Sequence, residues 1–183
     1  MSGRRISMEI IYAGFGGQGV LTSGLVTAYI ALKNDLEVLW SPAYGGQMRG
    51  GKAYSMVKFD KEQITDPLIS ATDIVVAMNK PSLDFCSNLK EDGLLIVNSS
   101  TVSVEDVPAV SKVICIPVDE IAAKIGSPKS ANLVTIGVVV RETGYFDPDL
   151  ACKTMCQFFE DKGKGKFNEG NAKAFWAGYN YIG

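Results

Sequence analysis

The chain has 183 residues, 46% hydrophobic and 21% charged, which excludes a disordered or fibrous protein and is long enough to close a core without a metal or disulfide staple. Its 18 Lys and Arg against 20 Asp and Glu leave a formal charge of -2, so the basic field that drives nonspecific nucleic-acid binding is missing and no nucleic-acid partner is expected. Histidine is absent, which removes Ser-His-Asp and Cys-His catalysis, His-ligated zinc and any imidazole base.

The four cysteines, Cys86, Cys115, Cys152 and Cys156, contain no C-x-x-C pair, so cluster ligation by this chain is not expected. Cys152 and Cys156 share a helix face at i,i+4 and read as small core residues. The opening MSGRRISMEIIYAG runs into a strand-like segment without the apolar stretch of a signal peptide. No apolar run approaches the roughly 20 residues needed to span a bilayer. A soluble, cytoplasmic protein folded as one domain over residues 1–183 is expected.

In chain order, Met8 to Ala13 reads as a buried first strand ending in glycines. Val20 to Lys33 carries a helical period, and Glu37 to Trp40 is a second short strand. From Ser41 to Gly51 a proline and four glycines predict a loop. Lys52 to Phe59 alternates as a strand, and Asp60 to Gln63 reads as the turn of a hairpin that makes a local antiparallel pair up to Ile64. Asp73 to Met78 is a parallel-type strand, followed by Asn79 as an N-cap, Pro81 in the first turn and a helix to Leu89. Gly93 ends that unit.

Leu94 to Val97 and Val113 to Ile116 are further strands, and Val118 to Ile125 is a short helix closed by Gly126-Ser127-Pro128. Leu133 to Arg141 reads as a buried helix, and Asp147-Pro148 opens another through Phe159. Lys162 to Lys166 is a basic, glycine-broken linker before a last helix from Asn168 to Gly178. The alternation implies an α/β three-layer sandwich, mostly parallel, with a local antiparallel hairpin.

Two glycine loops carry the candidate chemistry. Gly14-Phe15-Gly16-Gly17-Gln18-Gly19 satisfies G-x-G-x-x-G between a strand and a helix, a setting in which backbone N–H groups and the helix dipole hold a phosphate. The acidic residue that a dinucleotide site needs at the end of the second strand is misplaced, since that strand ends at Trp40-Ser41 while Asp35 and Glu37 come earlier. A tight packing turn, an anion or subunit contact, and nucleotide binding all stay open for this loop. In the second loop Tyr44, Gln47 and Arg49 stand among glycines. Arg49 offers a fork for a carboxylate or phosphate, Gly50 and Gly51 allow close backbone approach, and Tyr44 offers stacking.

GFGGQGV at Gly14 to Val20 followed by SPAYGGQMRGG at Ser41 to Gly51 resembles the gamma subunit of 2-oxoacid:ferredoxin oxidoreductases. Further matches are Ile64-Thr65-Asp66-Pro67, Leu94 to Ser99, Asn132 to Gly137 and Asn171 to Gly178. Where many members have a Pro-Glu pair, this chain has Gly46-Gln47. The resemblance implies one subunit of a complex that converts a 2-oxoacid and coenzyme A to acyl-CoA and carbon dioxide and passes electrons to ferredoxin. It also implies that thiamine diphosphate and iron-sulfur clusters sit in partner subunits, that this chain binds no cofactor tightly, and that it is inactive alone. Gly14, Gly16, Gly17, Gln18, Gly19, Tyr44, Arg49, Gly50 and Gly51 are the residues it points to at the coenzyme A site or a subunit contact. A homodimer is compatible with this reading.

A 2-oxoglutarate or branched-chain oxoacid substrate is favoured, with an indolepyruvate-type subunit differing only in substrate. The alternative from another class is a free-standing nucleotide- or flavin-binding oxidoreductase, which would purify with its chromophore.

Overall fold

The computed structural model describes residues 7–44, 52–66 and 71–182. Six strands form one sheet: β1 Ser7–Phe15, β2 Glu37–Tyr44, β3 Lys52–Asp60, β4 Thr72–Ala77, β5 Leu89–Asn98 and β6 Lys112–Ile116. They lie in the order β2-β3-β1-β4-β5-β6. β1, β4, β5 and β6 pair parallel, while β3 runs antiparallel to both β1 and β2. β3 is therefore the one reversed strand of a mostly parallel sheet.

Five α-helices follow: α1 Val20–Leu32, α2 Val118–Lys124, α3 Ala131–Thr143, α4 Pro148–Asp161 and α5 Asn168–Tyr179. Strand alternation explains the layering. Ile10 and Tyr12 of β1, Val57 and Phe59 of β3, Ile74 and Val76 of β4 and Ile96 of β5 point into the larger core, which the α-helices cover. Ile11, Ala13, Val75, Ala77, Leu95 and Val97 point the other way, into a smaller core closed by Val102 and by Leu83 and Phe85 of a 3-10 helix, Lys80–Asn88. The three layers expected from the sequence are present, one of them thin.

α3 is apolar nearly all round and almost wholly buried, as a helix enclosed on all sides should be. It crosses α5 so closely that a Cβ on Gly137 would lie 2.0 Å from the Phe175 carbonyl oxygen, and one on Gly178 would lie 1.8 Å from that of Val134. Glycine is required there for backbone approach.

Several sequence expectations are corrected. Ser41 to Tyr44 is strand, not loop: β2 lies at the sheet edge, where Pro42 can sit because its missing N–H costs no ladder bond. Asp60 to Gln63 does not lead into a returning strand, since residues 63–66 have no regular structure and β3 pairs upstream, with Tyr44 against Ala53 and Phe15 against Lys52. Gly93 does not end a unit; it lies inside β5, which starts at Leu89 and shifts register against β4 between the Thr72 and Ile74 pairs. The segment after Asn79 is 3-10 rather than α-helical, although Asn79 caps it by accepting from the Ser82 N–H at 3.1 Å. Among the described residues no helix is long and apolar enough to cross a membrane.

Candidate functional site

The carboxyl ends of β1, β2, β4 and β5 meet on one side of the sheet. From β1 the chain leaves through α1 toward β2, whereas from β4 it leaves toward β5, so the crevice between the ends of β1 and β4 is the topological switch point of the sheet. The first glycine loop occupies it.

Its glycines have separate roles. A Cβ on Gly14 would lie 2.8 Å from both Gln18 Oε1 and Val20, so that glycine lets the turn close. Gly17 and Gly19 have φ of 99° and 74°, left-handed values that other residues rarely adopt. Gly19 also presses on α3, where a Cβ would stand 2.7 Å from Asn132 Cγ. Gly16 is exposed and has open space around it.

Gln18 directs its side chain inward. Its Oε1 accepts from the Phe15 N–H at 2.7 Å and from Asn79 Nδ2 at 2.8 Å, and its Nε2 donates to the Met78 carbonyl at 3.0 Å. Thr101 Oγ1 donates to the same carbonyl at 2.7 Å. Gln18 thus ties β1 to the end of β4, with the segment after β5 bonded to the same point. Asn79, Thr101 and Asn132 are participants that sequence reasoning did not single out at this site. Asn132 Nδ2 donates to the Gly19 carbonyl at 3.2 Å and to Ser23 Oγ at 3.3 Å, fixing α1 against α3. The signals available were an Asx cap for Asn79 and membership of the Asn132 to Gly137 match.

The loop divides two clefts. One, about 170 Å³, lies between Gly17 to Gly19, Met78, the turn at Pro128 and Lys129 and the start of α3 at Ala131 and Asn132, with Asp119 at its side. The other, about 290 Å³, is bounded by Phe15 to Gly17, Leu21, Thr22 and Tyr44. Tyr44 is 76% exposed. α1 and α3 both start here with no acidic residue in the first turn and no side-chain cap, so their positive ends are left for another group to meet. Exposed Lys129 adds a cation to the first cleft, and exposed Asp119, which accepts from Asn98 Nδ2 at 2.9 Å, an opposing charge.

Gly14, Gly16, Gly17, Gln18, Gly19 and Tyr44 therefore belong to one end of the sheet. Arg49, Gly50 and Gly51, with Gly46 and Gln47, lie outside the described residues; the ends of their segment, Tyr44 and Lys52, are held beside Ala53 and Phe15. Among the described residues no group of three or more cysteines and carboxylates is placed to hold a metal ion.

Residues 9–181 match the family described as pyruvate ferredoxin/flavodoxin oxidoreductase. The 2-oxoglutarate synthase subunit KorC of Methanocaldococcus jannaschii is 32% identical over 185 residues, covering 98% of this chain and 97% of that one. The ketoisovalerate oxidoreductase subunit VorA of Methanothermobacter thermautotrophicus is 37% identical over 134 residues, covering 73% of this chain but only 28% of that longer protein. Among solved structures, the keto/oxoacid ferredoxin oxidoreductase gamma subunit of Geobacter sulfurreducens superposes with a TM-score of 0.81 at 27% identity, over 94% of each chain. With the glycine loop at the switch point and the match running from β1 to the residues after α5, the chain belongs to the pyruvate ferredoxin/flavodoxin oxidoreductase family.

Proposed function

We propose that this chain is the gamma-type subunit of a 2-oxoacid:ferredoxin oxidoreductase, in which a 2-oxoacid, coenzyme A and oxidised ferredoxin give acyl-CoA, carbon dioxide and reduced ferredoxin. Thiamine diphosphate and iron-sulfur clusters belong to partner subunits in this reading. This chain completes the coenzyme A site. The observation that carries the proposal is the placement of a glycine loop with two left-handed residues between two uncapped helix starts at the sheet's switch point, an arrangement suited to the phosphates of coenzyme A. Gly16, Gly17 and Gly19 supply backbone surface, Tyr44 stands at the rim for stacking or a subunit contact, and Arg49 brings a bidentate cation.

The subunit role has a second support. Val104 (70% exposed), Val113 (38%) and Ile182 (95%) leave an apolar surface at the β6 side, beside a groove bounded by Arg141 and Tyr181, as expected of a chain that packs on others or pairs with itself. A 2-oxoglutarate or branched-chain substrate is favoured, with the choice made chiefly by the thiamine-bearing partner.

The test is purification of the native complex by a tag on this chain, followed by reconstitution with Arg49→Ala and Arg49→Lys. Partners carrying thiamine diphosphate and clusters should co-purify, while the isolated chain should reduce no viologen dye from 2-oxoacid and coenzyme A. Arg49→Ala should raise the Michaelis constant for coenzyme A, or weaken assembly, by roughly 30-fold or more, and Arg49→Lys should recover part. A lone chain that turns over, or that purifies with bound flavin, would establish the free-standing oxidoreductase instead.

A further inference from the structure

The two clefts beside the glycine loop differ in what they can accept. The cleft at Tyr44 is walled by Phe15 to Gly17 and by the first turn of α1, where the N–H groups of Val20, Leu21 and Thr22 have no intrahelical partner and no side-chain cap. No carboxylate borders it among the described residues. That cleft suits an anion.

The smaller cleft has the opposite character, and Asn132 and Asp119 give it that character. Asn132 is 8% exposed, and both its amide hydrogens are engaged, because Nδ2 donates to the Gly19 carbonyl at 3.2 Å and to Ser23 Oγ at 3.3 Å. Its Oδ1 accepts from no described residue. It is not sealed in, since the one sealed side-chain polar atom without a partner among the described residues is Asn168 Oδ1. Asn132 lines the cleft, so its free oxygen opens into it. At the side of the same cleft Asp119 Oδ2 accepts from Asn98 Nδ2 at 2.9 Å, and Asn98, 1% exposed, is itself fixed by accepting from the Ser100 and Val118 N–H groups at 3.1 and 3.2 Å. The second oxygen of Asp119 has no partner among the described residues.

Two free acceptors thus border one space of about 170 Å³, with Met78, Pro128 and Ala131 as its apolar walls. A cleft that buries a whole drug-sized ligand measures about 300–1,000 Å³, so this one admits a single group. Two acceptors disfavour a phosphate, whereas a primary amine on a flat ring brings two N–H donors to meet them. Exposed Lys129 borders the same space and offers its charge to the ribose phosphate that adjoins such a ring in coenzyme A.

We propose that Asp119 and Asn132 read the exocyclic amine of the coenzyme A adenine, while the diphosphate crosses the glycine loop to the first turn of α1. These two side chains then make the subunit selective for an aminated purine. The inference rests on the coenzyme A reading above and adds to it the direction in which the molecule lies. No bond is made or broken in this cleft.

The experiment uses the native complex, purified through this chain, and compares coenzyme A with its hypoxanthine analogue, in which the amine is replaced by a carbonyl, and with 4′-phosphopantetheine, which has no base. In the wild-type complex the Michaelis constant for the hypoxanthine analogue should be roughly 10- to 100-fold above that for coenzyme A, since a carbonyl then faces two acceptors. Asp119→Asn should undo or invert that preference. Asn98 donates to the amide oxygen of the variant and so leaves its Nδ2 where the free carboxylate oxygen stood, as a donor to the hypoxanthine carbonyl. The constant for coenzyme A should rise about 10-fold or more and that for the analogue should fall. The constant for 4′-phosphopantetheine should not move, whereas a merely structural defect would raise it too. Equal use of coenzyme A and the analogue by the wild-type complex would overturn the assignment without any variant, as would an Asp119→Asn complex with the wild-type preference. The coenzyme A reading itself fails by a different result, in which Arg49→Ala also leaves all three constants and assembly unchanged.

Discussion

The side-chain amide of Asn79 donates to Oε1 of Gln18 at 2.8 Å, joining residues 61 apart in sequence. The bond makes the cap of the 3-10 helix and the turn after β1 into one unit, because Asn79 Oδ1 at the same time accepts from the N–H and hydroxyl of Ser82 at 3.1 and 2.8 Å. The glycine loop is therefore held from inside, by its own fifth residue.

Gln18→Ala should destabilise the chain by about 2–3 kcal/mol, since it leaves the Phe15 N–H, the Met78 carbonyl and Asn79 Nδ2 each short of a partner. For a protein of this size that corresponds to roughly 5–10 °C in thermal midpoint. Urea and thermal unfolding measure it, and an unchanged midpoint would show that the network is not worth what its geometry implies.

Gly16 and Gly19 should respond oppositely to a methyl group. Gly16→Ala meets open space, so stability should stay within about 0.5 kcal/mol of wild type. Gly19→Ala imposes a left-handed φ of 74° on alanine and drives its Cβ into Asn132, and should cost more than about 2 kcal/mol. If Gly16 borders the ligand, its alanine variant will weaken coenzyme A use or assembly in a chain that is still fully folded, a separation that denaturation and reconstitution measured in parallel would reveal.

Tyr12 and Thr27 form a fully buried hydroxyl pair at 2.7 Å, and burial pushes the Tyr12 phenol well above its ordinary range. Tyr12→Phe alone should cost about 1–3 kcal/mol by stranding the Thr27 hydroxyl. The double variant Tyr12→Phe/Thr27→Val should recover most of that loss. Equal losses in the single and double variants would contradict the account.

Cys86 should be slow to alkylate. Burial first, and the Asp84 charge second, push its thiol up to about 11 from an ordinary 9.0, so at pH 8 it holds about 100-fold fewer thiolates than an unperturbed cysteine. Peptide-resolved iodoacetamide labelling should find Cys86 well behind Cys156, with a rate that keeps rising to about pH 11. The sign for stability follows: the folded state retains a proton that the unfolded chain has lost, so this group's contribution is whole below pH 9 and declines as pH rises toward 11.

How far the sequence could be read depended on whether the deciding contact was local. The turn from Gly14 to Gly19, the burial of Leu133 to Arg141, the helix opened at Asp147-Pro148 and the parallel-type run in β4 follow from periodicity and from residues within a few positions of one another. Ser41 to Tyr44 failed because proline and glycine counts carry no information on whether a strand lies at an edge, and the pairing with β3 that extends it is set by Ala53 to Val57. The 3-10 segment from Lys80 to Asn88 has few apolar residues to enforce an α-period. Gln18 was legible as a motif residue but not as a cross-link, since its partners at Met78 and Asn79 come from another strand.

Pro42 carries a consequence for how copies and partners meet this chain. It interrupts the run of amide donors along the outer margin of β2, opposite Ser55, so an incoming strand finds no continuous ladder on which to template. At the other margin the Cys115 carbonyl of β6 accepts from the Tyr181 hydroxyl at 3.1 Å. Lateral growth of the sheet into fibres is thereby resisted on both flanks, and association is directed to side chains and loop tips, where it can be reversible and specific.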